Sequence, residues 1–242
     1  MIIKNAVTDR INIGELILNV QIERTRRKKT ISLQVKDNKL IIKAPKKLSK
    51  RSLDELIQRK INWIKQRLII NLEEQNLRHR KFIDNDKFYF RGKDYRLRLI
   101  SGKEETVKIE ADLLVVTYID DTTIDRKAIK TFLIDWYLKE SLKILKTRTN
   151  YLAKKMKVQP SGMTVKNYIS KWGSCTAHNK ISYNWRIIMA PDYIIDYLII
   201  HELSHITEPN HSKDFWQTVA KYCDGYQTKR KWLRENGYRL IL

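Results

Sequence analysis

The chain has 242 residues, 42% of them apolar, with 49 Lys and Arg against 27 Asp and Glu for a formal net charge of +22. That length fits one large domain or two small ones with a real core, and seven Gly and four Pro exclude collagen-like and low-complexity chains. Two cysteines are too few for a disulfide framework, no apolar run is long enough to span a bilayer, and residues 1–11 carry Lys4, Asp9 and Arg10 without a leader's apolar segment, so the expectation is a cytoplasmic protein with no membrane partner.

Residues 1–100 hold 26 basic and 11 acidic side chains, so the N-terminal part is the more basic one. Two alternating stretches open it: residues 30–35, with Ile31, Leu33 and Val35 on one face, and residues 39–44, with Leu40, Ile42 and Ala44 on one face. Asp37 and Asn38 between them suit a tight turn, which predicts a hairpin ended by Pro45. Ser52 with Glu55 three residues on forms a capping box ahead of Leu53, Leu56, Ile57, Ile61, Ile64 and Leu68, spaced as an amphipathic helix. A polar stretch over residues 71–87 interrupts the pattern. Alternation returns at Phe88 and Phe90, at Tyr95, Leu97 and Leu99, and over residues 113–118. From Asp125 the period is helical, through Ile129, Phe132, Leu133 and Trp136 to about Met156. Strands follow at residues 164–170 and 181–187 around a polar turn at 176–180, then a helix from Pro191, whose missing N–H suits a first turn. No internal repeat is visible. The prediction is an α+β chain: a basic, β-rich N-terminal unit with one helix over residues 1–121, and a second unit over 122–242.

Three of the five histidines, His201, His205 and His211, fall within eleven residues. His201-Glu202-Leu203-Ser204-His205 is an HExxH pattern inside a predicted helix. Residues four apart share a helical face about 6 Å apart, so two imidazoles can converge on one ion while a third ligand comes from beyond the helix. Glu202 is rotated about 100° from His201, beside the ion as a general base for a bound water. Pro209 turns the chain, and Ser212 reads as the N-cap of a short helix bearing Phe215, Trp216 and Val219, which fixes His211 between two helices. Three protein ligands leave a fourth position open, the mark of a catalytic zinc site rather than a structural one.

The segment Lys171-Trp172-Gly173-Ser174-Cys175, the run Ile181-Ser182-Tyr183-Asn184-Trp185-Arg186 with Ala190-Pro191, and the stretch HELSHITEPNHSKDFW from His201 resemble the YgjP-like metallopeptidase family, of the zincin-like group near the SprT and WLM types. The resemblance is densest over residues 163–242 and weaker around residues 26–35 and Ala44-Pro45. It implies a C-terminal zincin-like domain, zinc held by His201, His205 and His211, and Glu202 as general base. The histidine spacing also matches the long metzincin motif, but Glu208 stands where those proteins have glycine. The resemblance points to Trp172, Gly173 and Ser174 as a strand edge that holds an extended substrate, with Gly173 permitting close backbone approach; the alternative is a tight strand end with Trp172 in the core.

Cys175 with His178 makes a CxxH pair that lacks a second pair, so a buried strand cysteine is favoured. His178 reads as a turn residue, and His79 lies in a basic linker. Tyr222, Tyr226 and Arg186 can each stabilise an oxyanion, and that role stays open. Arg24, Arg26, Arg27, Lys28 and Lys29 precede the first hairpin, and Lys43, Lys46, Lys47, Lys50 and Arg51 follow its second strand's apolar core; such a surface attracts polyanions, nucleotide or nucleic acid, unless it is merely a solvated face. Three functions fit these features. A zinc peptidase acting on a peptide or protein leads, ahead of a metal-dependent nucleoside triphosphate pyrophosphatase and a DNA-associated, SprT-like protease.

Overall fold

A computed structural model describes residues 8–13, 16–27, 29–36, 39–119 and 125–242. The chain is α+β and divides into two compact units, Met1–Leu77 and Arg78–Leu242. The expected turn at Asp37 and Asn38, Lys28 of the basic run, and residues 120–124 around the expected start of a second unit lie outside the described residues.

The first unit contains β1 (Thr8–Ile13), β2 (Leu16–Thr25), β3 (Ser32–Lys36), β4 (Lys39–Pro45) and the helix α1 (Lys50–Arg78). The expected hairpin is present as β3 antiparallel to β4, and the sheet order is β1-β2-β4-β3 with β2 parallel to β4. Sequence reasoning missed β1 and β2. Leu18, Val20, Leu40, Ile42 and Ala44 form the buried face, covered by Leu53, Ile57, Ile64 and Leu68 of α1. Two helix expectations need correction. The residue that caps α1 is Ser49: its hydroxyl accepts from the Ser52 N–H at 3.1 Å, while Glu55 pairs with Arg51 at 3.2 Å. Ser52 is therefore the third helical residue, not the cap. The polar stretch from 71 does not break the helix, which continues to Arg78; a surface helix can extend past its apolar stripe when its remaining positions are good helix formers.

The second unit opens with the same topology. Strands β5 (Lys87–Phe90), β6 (Lys93–Gly102), β7 (Thr106–Glu110) and β8 (Leu113–Ile119) are ordered β5-β6-β8-β7 with β6 parallel to β8. A long helix, α2 (Arg126–Met156), follows and is capped by Asp125, which accepts from the Lys127 N–H at 3.0 Å. Its Ile129 and Leu133 cover Phe88, Leu97, Leu114 and Val116. The chain thus repeats a four-strand-plus-helix topology although its sequence shows no repeat.

The compact units divide at 77/78, where the sequence suggested 121/122, and the β5–β6 hairpin is tied to later elements. The Arg91 and Gly92 N–H groups donate to the Ile188 and Met189 carbonyls at 2.8 and 3.1 Å, and the Tyr137 hydroxyl donates to the Tyr89 carbonyl at 2.7 Å. Gly92 has φ +77°, and a β-carbon there would lie 2.8 Å from Pro191 Cα, so only glycine fits.

Strands β9 (Gly162–Lys166), β10 (Gly173–Cys175) and β11 (Lys180–Asn184) form a third sheet, ordered β10-β11-β9, with β10 antiparallel and β9 parallel to β11. The strand expected over 181–187 ends at Asn184, whose side chain accepts from the Arg186 N–H and caps a 3₁₀ turn at Trp185–Met189. Pro191 is the N-cap of α3 (Asp192–Ser204), not its first helical residue. Helices α4 (Lys213–Tyr222) and α5 (Tyr226–Asn236) complete the unit. Helix α3 is buried nearly all round: Ile194, Ile195, Leu198, Ile199, Ile200 and Leu203 are in the core. Among the described residues no helix is long and apolar enough to cross a membrane.

Arg91 anchors the start of α3 through two hydrogen bonds to Asp192, at 2.8 and 2.5 Å, and Arg148 bridges Asp192 and Asp196. The Arg91 hydrogen bonds, reinforced by the Arg148 charge, hold the Asp192 carboxyl below its ordinary value. A depressed carboxyl contributes stability that is complete above its unfolded pKa of about 4 and is lost as pH falls through the lower folded value. In urea titrations below about pH 4, Asp192→Asn should therefore lose stability less steeply than the wild type; equal slopes would remove this ion pair from the fold's acid sensitivity.

Candidate metal centre

His201 lies in the last turn of α3 and His205 is the residue that ends it, with helical backbone angles. The chain then turns tightly: the Thr207 and Glu208 N–H groups both donate to the Ser204 carbonyl, at 3.2 and 2.9 Å. Pro209 follows, and His211 stands directly before Ser212, whose hydroxyl caps α4 by accepting from the Phe215 N–H at 3.2 Å. The capped helix start therefore fixes the third histidine.

One nitrogen from each of the three rings lies within 4.8 Å of the other two, and the Nε2 atoms of His201 and His211 are 3.1 Å apart. His205 Nδ1 donates to the Glu208 carbonyl at 3.1 Å, which leaves its Nε2 as a lone pair. Phe215, fully buried, floors the cluster, with its ring stacked on His205 at 4.5 Å and edge-on to His201 at 5.0 Å. Burial pushes His201 down to about 3, with His205, His211 and Arg230 adding to the effect, and burial likewise lowers His211. These rings are neutral at neutral pH, the form that donates to a metal. His201 Nδ1 is buried with no hydrogen-bond partner. Convergent imidazole nitrogens as close as 3.1 Å fit a cation among them better than they fit one another.

Glu202, 4% exposed, projects from the neighbouring face of α3 toward β10. Burial pushes its carboxyl up to about 8, against the opposing charge of Lys171. A β-carbon on Gly173 would lie 2.5 Å from Glu202 Oε1, so the strand backbone rests directly on the carboxylate.

The chain belongs to the YgjP-like family. The family model, described as a YgjP-like metallopeptidase domain, matches residues 29–236, which supports a metal-dependent peptidase. Among solved structures, the chain is similar to the metallopeptidase zymogen jannalysin of Methanocaldococcus jannaschii, at 20% identity and a TM-score of 0.34, over 40% of this chain and 97% of that one. Among curated proteins, none matches.

In this YgjP-like chain the three residues expected to hold substrate have different surroundings. Gly173 lies against Glu202. The Trp172 indole is half-buried and packs at Gly237, where a β-carbon would lie 2.9 Å from its Cζ2, and the Ser174 hydroxyl is hydrogen-bonded to the Tyr168 hydroxyl at 3.0 Å. β10 is a sheet edge: Trp172 and Thr176 hydrogen-bond toward β11, so the peptide groups of Gly173 and Cys175 face away from it.

Cys175 is half-buried rather than buried, and neither it nor His178 joins the histidine cluster. Arg186 hydrogen-bonds Asn167 and stacks over Trp185 at 4.6 Å. Tyr222 carries Lys221 over its ring, and Tyr226 stacks on Trp216 at 5.1 Å. Sequence reasoning missed Arg230, an exposed cation 4.6 Å over the Trp216 ring, which itself stacks on His211 at 5.7 Å. Its spacing, four residues after Tyr226 in one helix, was the available signal.

Gly173 has no left-handed backbone angle, so alanine is conformationally acceptable there, and the three nearest atoms that a β-carbon would meet all belong to Glu202. Gly173→Ala should cost about 1–3 kcal/mol, read as a lowered Tm, and the same substitution in a Glu202→Ala background should cost nothing or stabilise. An equal loss in both backgrounds would show that the glycine serves something other than this contact.

Proposed function

We propose that the protein is a zinc-dependent peptidase in which His201, His205 and His211 hold the metal and Glu202 is the general base. The observation that carries the reading is the convergence of three imidazoles beside one buried carboxyl group that touches an edge strand. Three histidines suit zinc, which when bound acts as a Lewis acid on a carbonyl and lowers the pKa of water to about 7. Glu202 takes the proton of the attacking water as its oxygen bonds to the scissile carbonyl carbon, then delivers it to the amine as the C–N bond breaks. Burial keeps that carboxylate more basic than one in water. The outward peptide groups of Gly173 and Cys175 supply N–H and C=O partners for an extended peptide, which would pass the Glu202 carboxylate in register. Trp172 and Ser174 support this edge from behind, and the expected cytoplasmic location belongs to the same proposal.

His201→Ala should purify without stoichiometric metal while Glu202→Gln retains it, measured by metal analysis of both proteins. Glu202→Gln should cleave a peptide panel at least about 100-fold more slowly than the wild type, and chelation should abolish the wild-type rate until zinc is restored. Unchanged turnover in Glu202→Gln removes the base assignment. Metal-dependent hydrolysis of nucleoside triphosphates without peptide cleavage would replace the peptidase reading with a pyrophosphatase.

A further inference from the structure

The first unit carries two basic runs separated in sequence by the β3–β4 hairpin. They read Arg-Thr-Arg-Arg-Lys-Lys over residues 24–29 and Lys-Lys-Leu-Ser-Lys-Arg over residues 46–51, with no carboxylate in either. In the sheet, β2 and β4 are parallel, with Arg24 opposite Ala44 and Thr25 opposite Pro45. Parallel neighbours lie about 4.8 Å apart and end at the same edge, so both basic runs leave the sheet from adjacent points. An antiparallel pairing would have sent them to opposite ends.

Arg24 is the clasp of this edge rather than part of its free charge. Its guanidinium donates to the Pro45 and Leu48 carbonyls at 3.0 and 2.7 Å, and the Thr25 hydroxyl donates to the Ala44 carbonyl at 3.5 Å. The start of the second run is thereby tethered to the end of β2. Arg26, Arg27, Lys29, Lys46 and Lys47 are exposed, and among the described residues none of them forms an ion pair with a carboxylate.

We propose that these five cations, brought together by the parallel β2–β4 pair, form a binding surface for the phosphodiester backbone of nucleic acid. The surface has the charge to displace condensed counterions. It has no exposed large apolar side chain in either run, so it lacks the anchor that a membrane-bound polybasic segment needs and the apolar centre of a protein interface. With no aromatic residue in either run, it contacts phosphates and does not read bases. The inference goes beyond the peptidase reading and stands independently of it.

The test is fluorescence anisotropy of the full-length, metal-loaded protein with a labelled 20-base-pair DNA duplex and with single-stranded RNA across a salt series. For the duplex, neutralising four or five phosphates gives a slope of log K against log salt of about −4, a loss of roughly 100- to 500-fold between 50 and 200 mM. Arg26→Gln/Arg27→Gln and Lys46→Gln/Lys47→Gln should each reduce that slope by roughly two and weaken binding at least tenfold at low salt. Lys154→Gln/Lys155→Gln, which removes the same charge from exposed positions on α2, should change affinity less than twofold. Binding to either nucleic acid supports the proposal, and the ratio of affinities identifies the source of the phosphates. The proposal is overturned by no binding at 50 mM salt, by an equal loss in the Lys154/Lys155 pair, or by equally tight binding to polyglutamate or phosphatidylserine vesicles. Glu202→Gln should bind as the wild type does, so failure of the peptidase assignment leaves this measurement intact.

Discussion

Everything at the candidate centre depends on α3 being enclosed. A helix buried on nearly every side, its partly exposed Asp192 and Asp196 tied by Arg91 and Arg148, has its register fixed by packing. His201 and Glu202 sit at the end of that helix, one aimed at the loop that follows and the other at β10. The same enclosure strips water from both side chains, which keeps the imidazole neutral and the carboxyl reluctant to ionise. The surrounding parts then follow in order: the turn after Ser204, the cap at Ser212, the Phe215 floor, and the strand whose glycine lies on the carboxylate.

The repeated four-strand-plus-helix topology shows how one architecture serves two purposes. In each copy a central parallel pair of seven residues is flanked by antiparallel partners and covered by a long helix. In the second copy the first hairpin loop is hydrogen-bonded to the 3₁₀ turn that precedes α3, so the sheet braces that helix. In the first copy the ends of the parallel pair carry exposed cations instead. Parallel pairing matters in both places because it fixes which ends of the chain emerge together.

The centre was legible because its chemistry is local. The spacing of His201, His205 and His211, with the Pro209 turn and the Ser212 cap, is written within eleven residues, and the structure brings those three rings together. Helix α2 was legible from its period, which begins at Asp125. What the sequence concealed depends on partners distant in the chain. β2 pairs with a strand across a hairpin, so its neighbours could not be inferred from alternation. The capping error at Ser52 arose because Ser49 and Ser52 are both serines, and only backbone geometry distinguishes a cap from the third helical residue. The strands β5–β8 resemble those before them in pattern, and the bonds from Arg91 and Gly92 to the 3₁₀ turn leave no trace in composition. Arg230 was missed because its significance comes from a ring contact with another helix.

The loop between His205 and His211 recognises its own residue 208 through the main chain. His205 is oriented by the Glu208 carbonyl, and Glu208 is not among the residues with positive φ. Nothing in that arrangement consults the side chain. A turn made with a left-handed residue would favour glycine at that position, whereas this loop brings His211 to His205 without one, and the position is thereby released from a conformational restriction that would otherwise limit its evolution.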